Sequence, residues 1–229
     1  MNNALPTVSF VIPVFNGAAF IAEGINSCLK SSMQNIEIVV VDDFSTDATV
    51  RIVEHMAHED SRVILIRHGA NMGRSVARNT GIDAARGNIL LMMDHDDISN
   101  KARASIVTET FKANPNVDIV YSQFQLIDEL GHIGAKVDVM PFDWDKLVKT
   151  KFSYIGHSTM AFRRRVFDKV RYTAGDYSKY AIDDWKFQVD AYKAGFKFMP
   201  IRKCLAQYRI IRKPRDESKI LELKNTCLI

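Results

Sequence analysis

Four short apolar runs, the first rich in β-branched residues, constrain this chain most: Val8–Val14, Ile36–Val41, Val63–Ile66 and Ile89–Met93. Each has the length of a strand. Between them, apolar residues recur at helical spacing over Ala19–Leu29, Ala48–Ala57 and Arg74–Ala85. Ser45 or Thr46 is placed to cap the second of these helices. Strands this apolar are buried on both faces, and helices joining them imply a parallel sheet with right-handed crossovers. The pattern predicts an α/β fold with a Rossmann-like sheet. No G-x-G-x-x-G follows the first run, and no G-x-x-x-x-G-K-S/T occurs. That argues against a dinucleotide-binding domain and a P-loop NTPase.

After Asp97 the rhythm changes. A helix is expected over Ala102–Ala113, a strand over Val117–Phe124 and a hairpin-like turn at Asp128–Gly131. Asp143–Lys149 reads as a short helix, Ser158–Phe162 as a strand, Arg164–Val170 as a short helix and Tyr172–Tyr180 as a loop. Asp183–Ala194 is an amphipathic helix closed by Gly195, and two strands follow, Phe196–Ile201 and Leu205–Ile210. No repeat or low-complexity linker divides the chain, so its two halves, 1–100 and 101–211, are expected to share one sheet in one continuous domain. A basic tail, 212–229, completes it.

The length of 229 residues suits one large α/β domain, and 47% apolar with 25% charged residues is ordinary for a globular protein. No apolar run reaches about 18 residues, so no transmembrane helix is expected. The first residues lack the basic and apolar regions of a signal peptide. Cys28, Cys204 and Cys227 fit neither a disulfide framework nor a zinc site and point to a reducing cytosol. The net charge is +4, and Arg209, Arg212, Lys213, Arg215, Lys219 and Lys224 gather late. Such a tail either attracts anionic lipid or phosphate, with peripheral membrane association, or is a solvated end. No basic stripe interleaved with aromatics appears, which argues against nucleic acid.

The fourth apolar run ends in Asp94, Asp96 and Asp97, with His95 between. Carboxylates this dense repel one another and are easiest to keep where a hard cation, Mg²⁺ or Mn²⁺, is shared with a phosphate. The alternative is a polar turn capping the next helix. Asp42 and Asp43 end the second run, at the same sheet edge if both strands are parallel. A carboxylate there accepts from a ring N–H or ribose hydroxyl, or makes an Asx turn. Arg74 and Arg78 lie one helical turn apart after Gly73, where they suit a diphosphate or a plain surface. Asp183 and Asp184 open the late helix, as N-cap or as general base. His157 stands alone between Gly156 and Ser158.

In order, VSFVIPVFNG, IVVVDDFSTDAT, NMGRSVARNTGIDAARGNILLMMDHDD, HSTMAFRRRVF and AIDDWKFQV resemble a family 2 glycosyltransferase of the GT-A fold, from about Val8 to about Arg209. The resemblance implies a mixed sheet with helices on both faces. It also implies inverting transfer of a sugar from a nucleoside-diphosphate sugar, a UDP-sugar first, to a hydroxyl, with Mn²⁺ or Mg²⁺. The common setting is bacterial surface polysaccharide assembly on a lipid-linked acceptor, at the inner face of the plasma membrane. Pro13 and Phe15 match the loop lining the base, and Asp43 the residue that accepts from it. Arg78 borders the diphosphate. Asp96 is expected near the ribose or metal and Asp97 on the metal, with Asp94 as the first acid of a longer D-x-D-D version. Asp184 matches the catalytic base. Asp183, where the family has Glu or a small residue, and His157 are expected to line the acceptor cleft.

The family often has a histidine after its final Tyr-Arg. Here Tyr208-Arg209 is followed by Ile210-Ile211-Arg212, so either Arg212 neutralises the leaving diphosphate or that lid is incomplete. Two rivals remain. One is a nucleotidyltransferase, against which the loop Phe15–Ala19 lacks Lys and Arg; the other is a degenerate member that binds nucleotide without turnover.

Overall fold

The computed structural model describes residues 6–151, 153, 155–211 and 216–228. The first half is β1 (Val8–Val14), α1 (Ile21–Leu29), β2 (Ile36–Asp42), α2 (Thr49–Glu59), β3 (Val63–Arg67), α3 (Arg74–Ala84) and β4 (Ile89–Met92). The second is β5 (Ile98–Ser99), α4 (Arg103–Ala113), β6 (Ile119–Ile127), β7 (Ile133–Val137), α5 (Trp144–Thr150), β8 (Ala161–Arg163), α6 (Asp176–Lys179), α7 (Asp183–Lys193), β9 (Phe198–Arg209) and α8 (Glu217–Leu228).

Among the described residues one nine-stranded sheet runs β3-β2-β1-β4-β8-β6-β9-β5, with β7 paired to β6. Strands β3, β2, β1 and β4 are parallel; β8 is antiparallel to β4 and β6, while β9 is parallel to β6. Every residue of β1, β2 and β4 is buried. The strand period of two explains why. Phe10 and Ile12 face one layer with Ile21 and Ile25 of α1, Val53 of α2 and Val107 of α4. Val11, Val39 and Val41 face the other, with Ala77 and Ile82 of α3 and Phe187 of α7.

Four expectations need correcting. Ser45 and Thr46 do not cap α2: Ser45 Oγ accepts from Asn16 N and Thr46 N donates to Asn16 Oδ1, while Asp47 accepts from Thr49 N. The two last strands are one strand, β9. Arg202 and Lys203, which broke the apolar pattern, are absorbed where Ser122 pairs with Ile201 and Gln123 with Cys204. Within Ser158–Phe162, His157–Thr159 is a 3₁₀ turn and the strand begins at Ala161. The loop Tyr172–Tyr180 contains the short helix α6.

Residues 212–215 of the tail, and with them the expectation for Arg212, lie outside the described residues. Beyond them α8 packs on α7. Cys227 joins Leu147, Trp185 and Val189, Lys193 Nζ donates to Cys227 O, and Lys224 Nζ donates to Lys151 O.

Candidate active site

The site forms where β4 runs out. Asp94 N donates to Ser158 Oγ (2.8 Å), and Asp97 N closes a turn on Asp94 O (3.3 Å). Arg209, buried at the end of β9, grips this turn: its N donates to Asp97 Oδ1 and its Nε to Asp96 O, both at 2.8 Å. The same guanidinium reaches Asp128 O, Glu129 O and Glu23 Oε2, so the hairpin β6–β7 and α1 are tied to the acids. Close packing fixes the turn from below. A Cβ on Gly17 would lie 2.5 Å from His95 Cδ2, and one on Gly24 3.0 Å from His95 O.

Asp97 is buried, and its Oδ2 has no hydrogen-bond partner among the described residues. Burial, then Asp94 and Asp96, push its carboxyl well above the ordinary range. No group of three or more His, Cys, Asp or Glu among the described residues is arranged as a metal cage. An orphaned carboxylate oxygen in an acidic turn nevertheless fits a cation bound through one protein oxygen, substrate phosphates and water, the usual arrangement for Mg²⁺.

Asp94 is occupied elsewhere in the turn. Its Oδ1 accepts from Arg78 Nη2 at 2.8 Å and lies 3.5 Å from His157 Nδ1. Burial raises its pKa, but Arg78 and then His157 outweigh this and hold the carboxyl well below the usual range. His157 Nδ1 makes no hydrogen bond among the described residues, and its Nε2 lies 3.0 Å from the Tyr172 hydroxyl.

Arg78 is buried in α3, while Arg74 on the same helix is exposed. The other nitrogen of Arg78, Nη1, donates to Asp183 Oδ2, which also accepts from Ser75 Oγ (3.1 Å). Asp183 is therefore held against α3. Asp184, the next residue of α7, is half-buried, and its Oδ1 accepts from Trp185 N (2.8 Å). Burial and Asp183 raise its carboxyl above the ordinary value; His157 and Arg78 pull it back less. Tyr208 stands where the fields of Asp94, Asp96, Asp97 and Asp184 meet, and burial with these carboxylates raises its hydroxyl.

The structure brings Asp94, Asp97, Arg78, His157, Asp183 and Asp184 into one network, with Asp96 in the same turn. Pro13, Phe15 and Asp43 sit apart, at the ends of β1 and β2. Pro13 is buried beside Val41, and Phe15 is exposed. Asp42 makes the Asx turn, accepting from Ser45 N (3.1 Å). Asp43 is buried and accepts from His68 Nδ1, Met72 N and Gly73 N at 2.7–2.9 Å, which fixes the loop leading into α3. Sequence reasoning missed Arg209, Tyr172 and Ser158 as parts of this site. Only the position of Tyr208-Arg209 at a strand end hinted at the first.

A cavity of about 510 Å³ bordered by Phe142, Trp144 and Tyr192, and one of about 620 Å³ bordered by Glu23, Lys30 and Lys101, lie elsewhere. Neither is lined by Asp97 or Asp184, so side-chain chemistry rather than cavity size locates the site.

A parallel half ending in an acid turn, continued by a half of mixed strand direction that carries α7, is the GT-A fold of glycosyltransferases. The sequence profile of Glycosyl transferase family 2 matches residues 9–171, and the chain belongs to that family. S. aureus TarS 1–349, solved with UDP-GlcNAc, shares the fold with a TM-score of 0.76 and 19% identity, over 97% of this chain and 66% of that one. The mannosyltransferase PcManGT of Pyrobaculum calidifontis, solved with GDP-Man and Mn²⁺, does so with a TM-score of 0.69 and 17% identity, over 93% and 59%. In sequence, the putative teichuronic acid biosynthesis glycosyltransferase TuaG of Bacillus subtilis is 25% identical over 100% of this chain and 89% of its own. An uncharacterized glycosyltransferase of Haemophilus influenzae is 39% identical over 41% of this chain, which spans 37% of that relative's length. No helix among the described residues is long and apolar enough to cross a membrane.

Proposed function

We propose that this chain transfers a sugar from a nucleoside-diphosphate sugar, a UDP-sugar first, to a hydroxyl with inversion at the anomeric carbon. The observation that carries the reading is Asp184: a half-buried carboxyl, raised above its ordinary value and fixed beside the acid turn through Asp183, Arg78 and Asp94. A raised carboxylate on a rigid helix head suits a general base near neutral pH. Asp184 takes the proton of the acceptor hydroxyl, and that oxygen attacks the face opposite the departing diphosphate in a single displacement. The transition state is oxocarbenium-like.

Asp97, with Asp96 beside it, would hold Mn²⁺ or Mg²⁺ together with the diphosphate, and a bound divalent ion there neutralises charge on the leaving group. Arg209 keeps both acids in place. His157, close to Asp94, and Asp183 border the acceptor side. Phe15 and Pro13 border the base, and Asp43 acts there through the loop it fixes. Residues 1–100 bind the donor and 101–211 the acceptor. Likeness to TuaG over the full chain supports a place in surface polysaccharide assembly.

The test is a panel of nucleotide sugars incubated with the protein and Mn²⁺. Release of nucleoside diphosphate from one donor, accelerated by an acceptor alcohol, is expected. Failure to consume any donor, with UDP still bound, leaves a nucleotide-binding protein without turnover and overturns the reading.

A further inference from the structure

Phe44 holds a backbone conformation that its side chain disfavours. Its φ is +69°, in the left-handed region where glycine is free and a bulky residue is an outlier. The residue is 51% exposed, so packing does not offset the strain. Strain kept at an exposed aromatic points to function rather than to folding.

The neighbouring hydrogen bonds define what the ring faces. Asp43 N donates to Val14 O, and Asn16 N donates to Ser45 Oγ, both at 2.8 Å. Phe15 lies between Val14 and Asn16, and Phe44 between Asp43 and Ser45. The two phenylalanines therefore lie on adjoining segments that leave β1 and β2 side by side. Thr46 N donating to Asn16 Oδ1 at 2.8 Å joins the two segments beyond them. Phe15 is exposed as well, at 46%. Both residues follow the carboxyl ends of adjacent parallel strands, where open α/β sheets take their ligands. Asp43 beside them already accepts from His68, Met72 and Gly73, three of the about four acceptor positions of a carboxylate. What this edge presents is aromatic surface.

We propose that Phe44 is a second aromatic wall of a nucleobase subsite, beside Phe15. The inference rests on the donor reading above and deepens it. Stacking on a phenyl ring uses the face of a planar base and not its hydrogen-bonding edge. Phe44 accordingly contributes affinity for the nucleoside and none for the diphosphate.

Two variants of the full chain test this, Phe44→Gly and Phe44→Trp, titrated calorimetrically with UDP and with inorganic pyrophosphate in the presence of Mn²⁺. Phe44→Gly removes the ring and releases the φ strain. Its melting temperature should hold or rise while UDP affinity falls about tenfold and pyrophosphate affinity holds. Phe44→Trp should keep UDP affinity, and UDP but not pyrophosphate should quench its added indole fluorescence. Unchanged UDP affinity in Phe44→Gly overturns the proposal, and so does an equal loss for pyrophosphate. A parent protein that binds no nucleoside diphosphate overturns the donor reading itself and this inference with it, a result distinct from a parent that binds UDP whatever stands at position 44.

Discussion

Arg78 and Asp183 form a buried ion pair between the middle of α3 and the head of α7, with Arg78 Nη1 donating to Asp183 Oδ2. The same guanidinium donates to Asp94 on the acid turn. One side chain thus fixes the two acidic elements of the site relative to each other, with Nη1 and Nη2 on carboxylates and Nε without a hydrogen-bond partner.

Substitution of Arg78 should therefore separate turnover from binding. Arg78→Met takes the guanidinium from the half-buried Asp94 and leaves the buried Asp183 without its ion-pair partner, a change that costs about 3–5 kcal/mol of stability. Arg78→Lys keeps the charge but cannot fork to both partners, so a smaller loss is expected. In Arg78→Lys, sugar transfer should drop sharply with UDP affinity within a few-fold of the parent. Turnover and UDP affinity falling together would show instead that Arg78 touches the diphosphate.

Asp97→Ala should abolish the dependence of UDP binding on divalent cation. The orphaned Oδ2 is the atom at stake. Removing it leaves the ion without its protein oxygen, and the diphosphate then binds no better with Mn²⁺ than with EDTA. Calorimetric titration under both conditions checks this. Equal UDP affinity with and without metal in the parent protein would remove the metal from the scheme.

The first half of the fold was legible because β1, β2 and β4 are buried on both faces and so read as unbroken apolar runs. The acid turn was legible for a related reason: carboxylates directly after such a run have few structural uses. The partners of those acids were not. Arg209 meets Asp97 across 112 residues and Arg78 meets Asp183 across 105, and no local pattern encodes pairs so distant. The polar pair Arg202 and Lys203 looked like a strand break because a bulge and a break share the same local signature. Helix α8 hid in a basic segment, since its buried face is only Ile220 and Cys227. Because α8 covers Trp185, membrane binding by the tail is better probed by neutralising its lysines than by truncation.

Glu37 gives a structural prediction away from the site. It is buried on β2 and accepts from Ser9 Oγ (2.6 Å), Arg86 N (2.5 Å) and Arg86 Nε (2.8 Å). Burial raises its pKa, but these hydrogen bonds and the Arg86 charge prevail, and the carboxyl sits below its ordinary value. A depressed carboxyl stabilises the fold above the unfolded pKa, and that stability is lost as pH falls through the folded one. Glu37→Gln should cost about 1–3 kcal/mol at pH 7. The gap to the parent should close as pH drops below the ordinary carboxylate range. Denaturant melts across pH check this, and a gap independent of pH would assign the effect to packing.

Asp184 should show the opposite sign. Its folded carboxyl is raised, by burial first and then by Asp183. The protonated form is therefore favoured by folding, and that contribution is present below the unfolded pKa and lost as pH rises through the folded one. At neutral pH the charged Asp184 burdens the fold, so Asp184→Asn should melt at the same temperature as the parent or higher. The amide cannot take a proton, and loss of a general base lowers the rate by about 10²–10⁴. UDP affinity should hold. In the parent, transfer should fall as pH drops through the raised pKa, an acidic limb above the ordinary carboxylate range. Asp183→Asn discriminates the two neighbours: it weakens the partner of Arg78, so it should lower stability, with a milder effect on transfer than Asp184→Asn. Turnover retained by Asp184→Asn and abolished by Asp183→Asn would move the base to Asp183 and reduce Asp184 to the first turn of a helix.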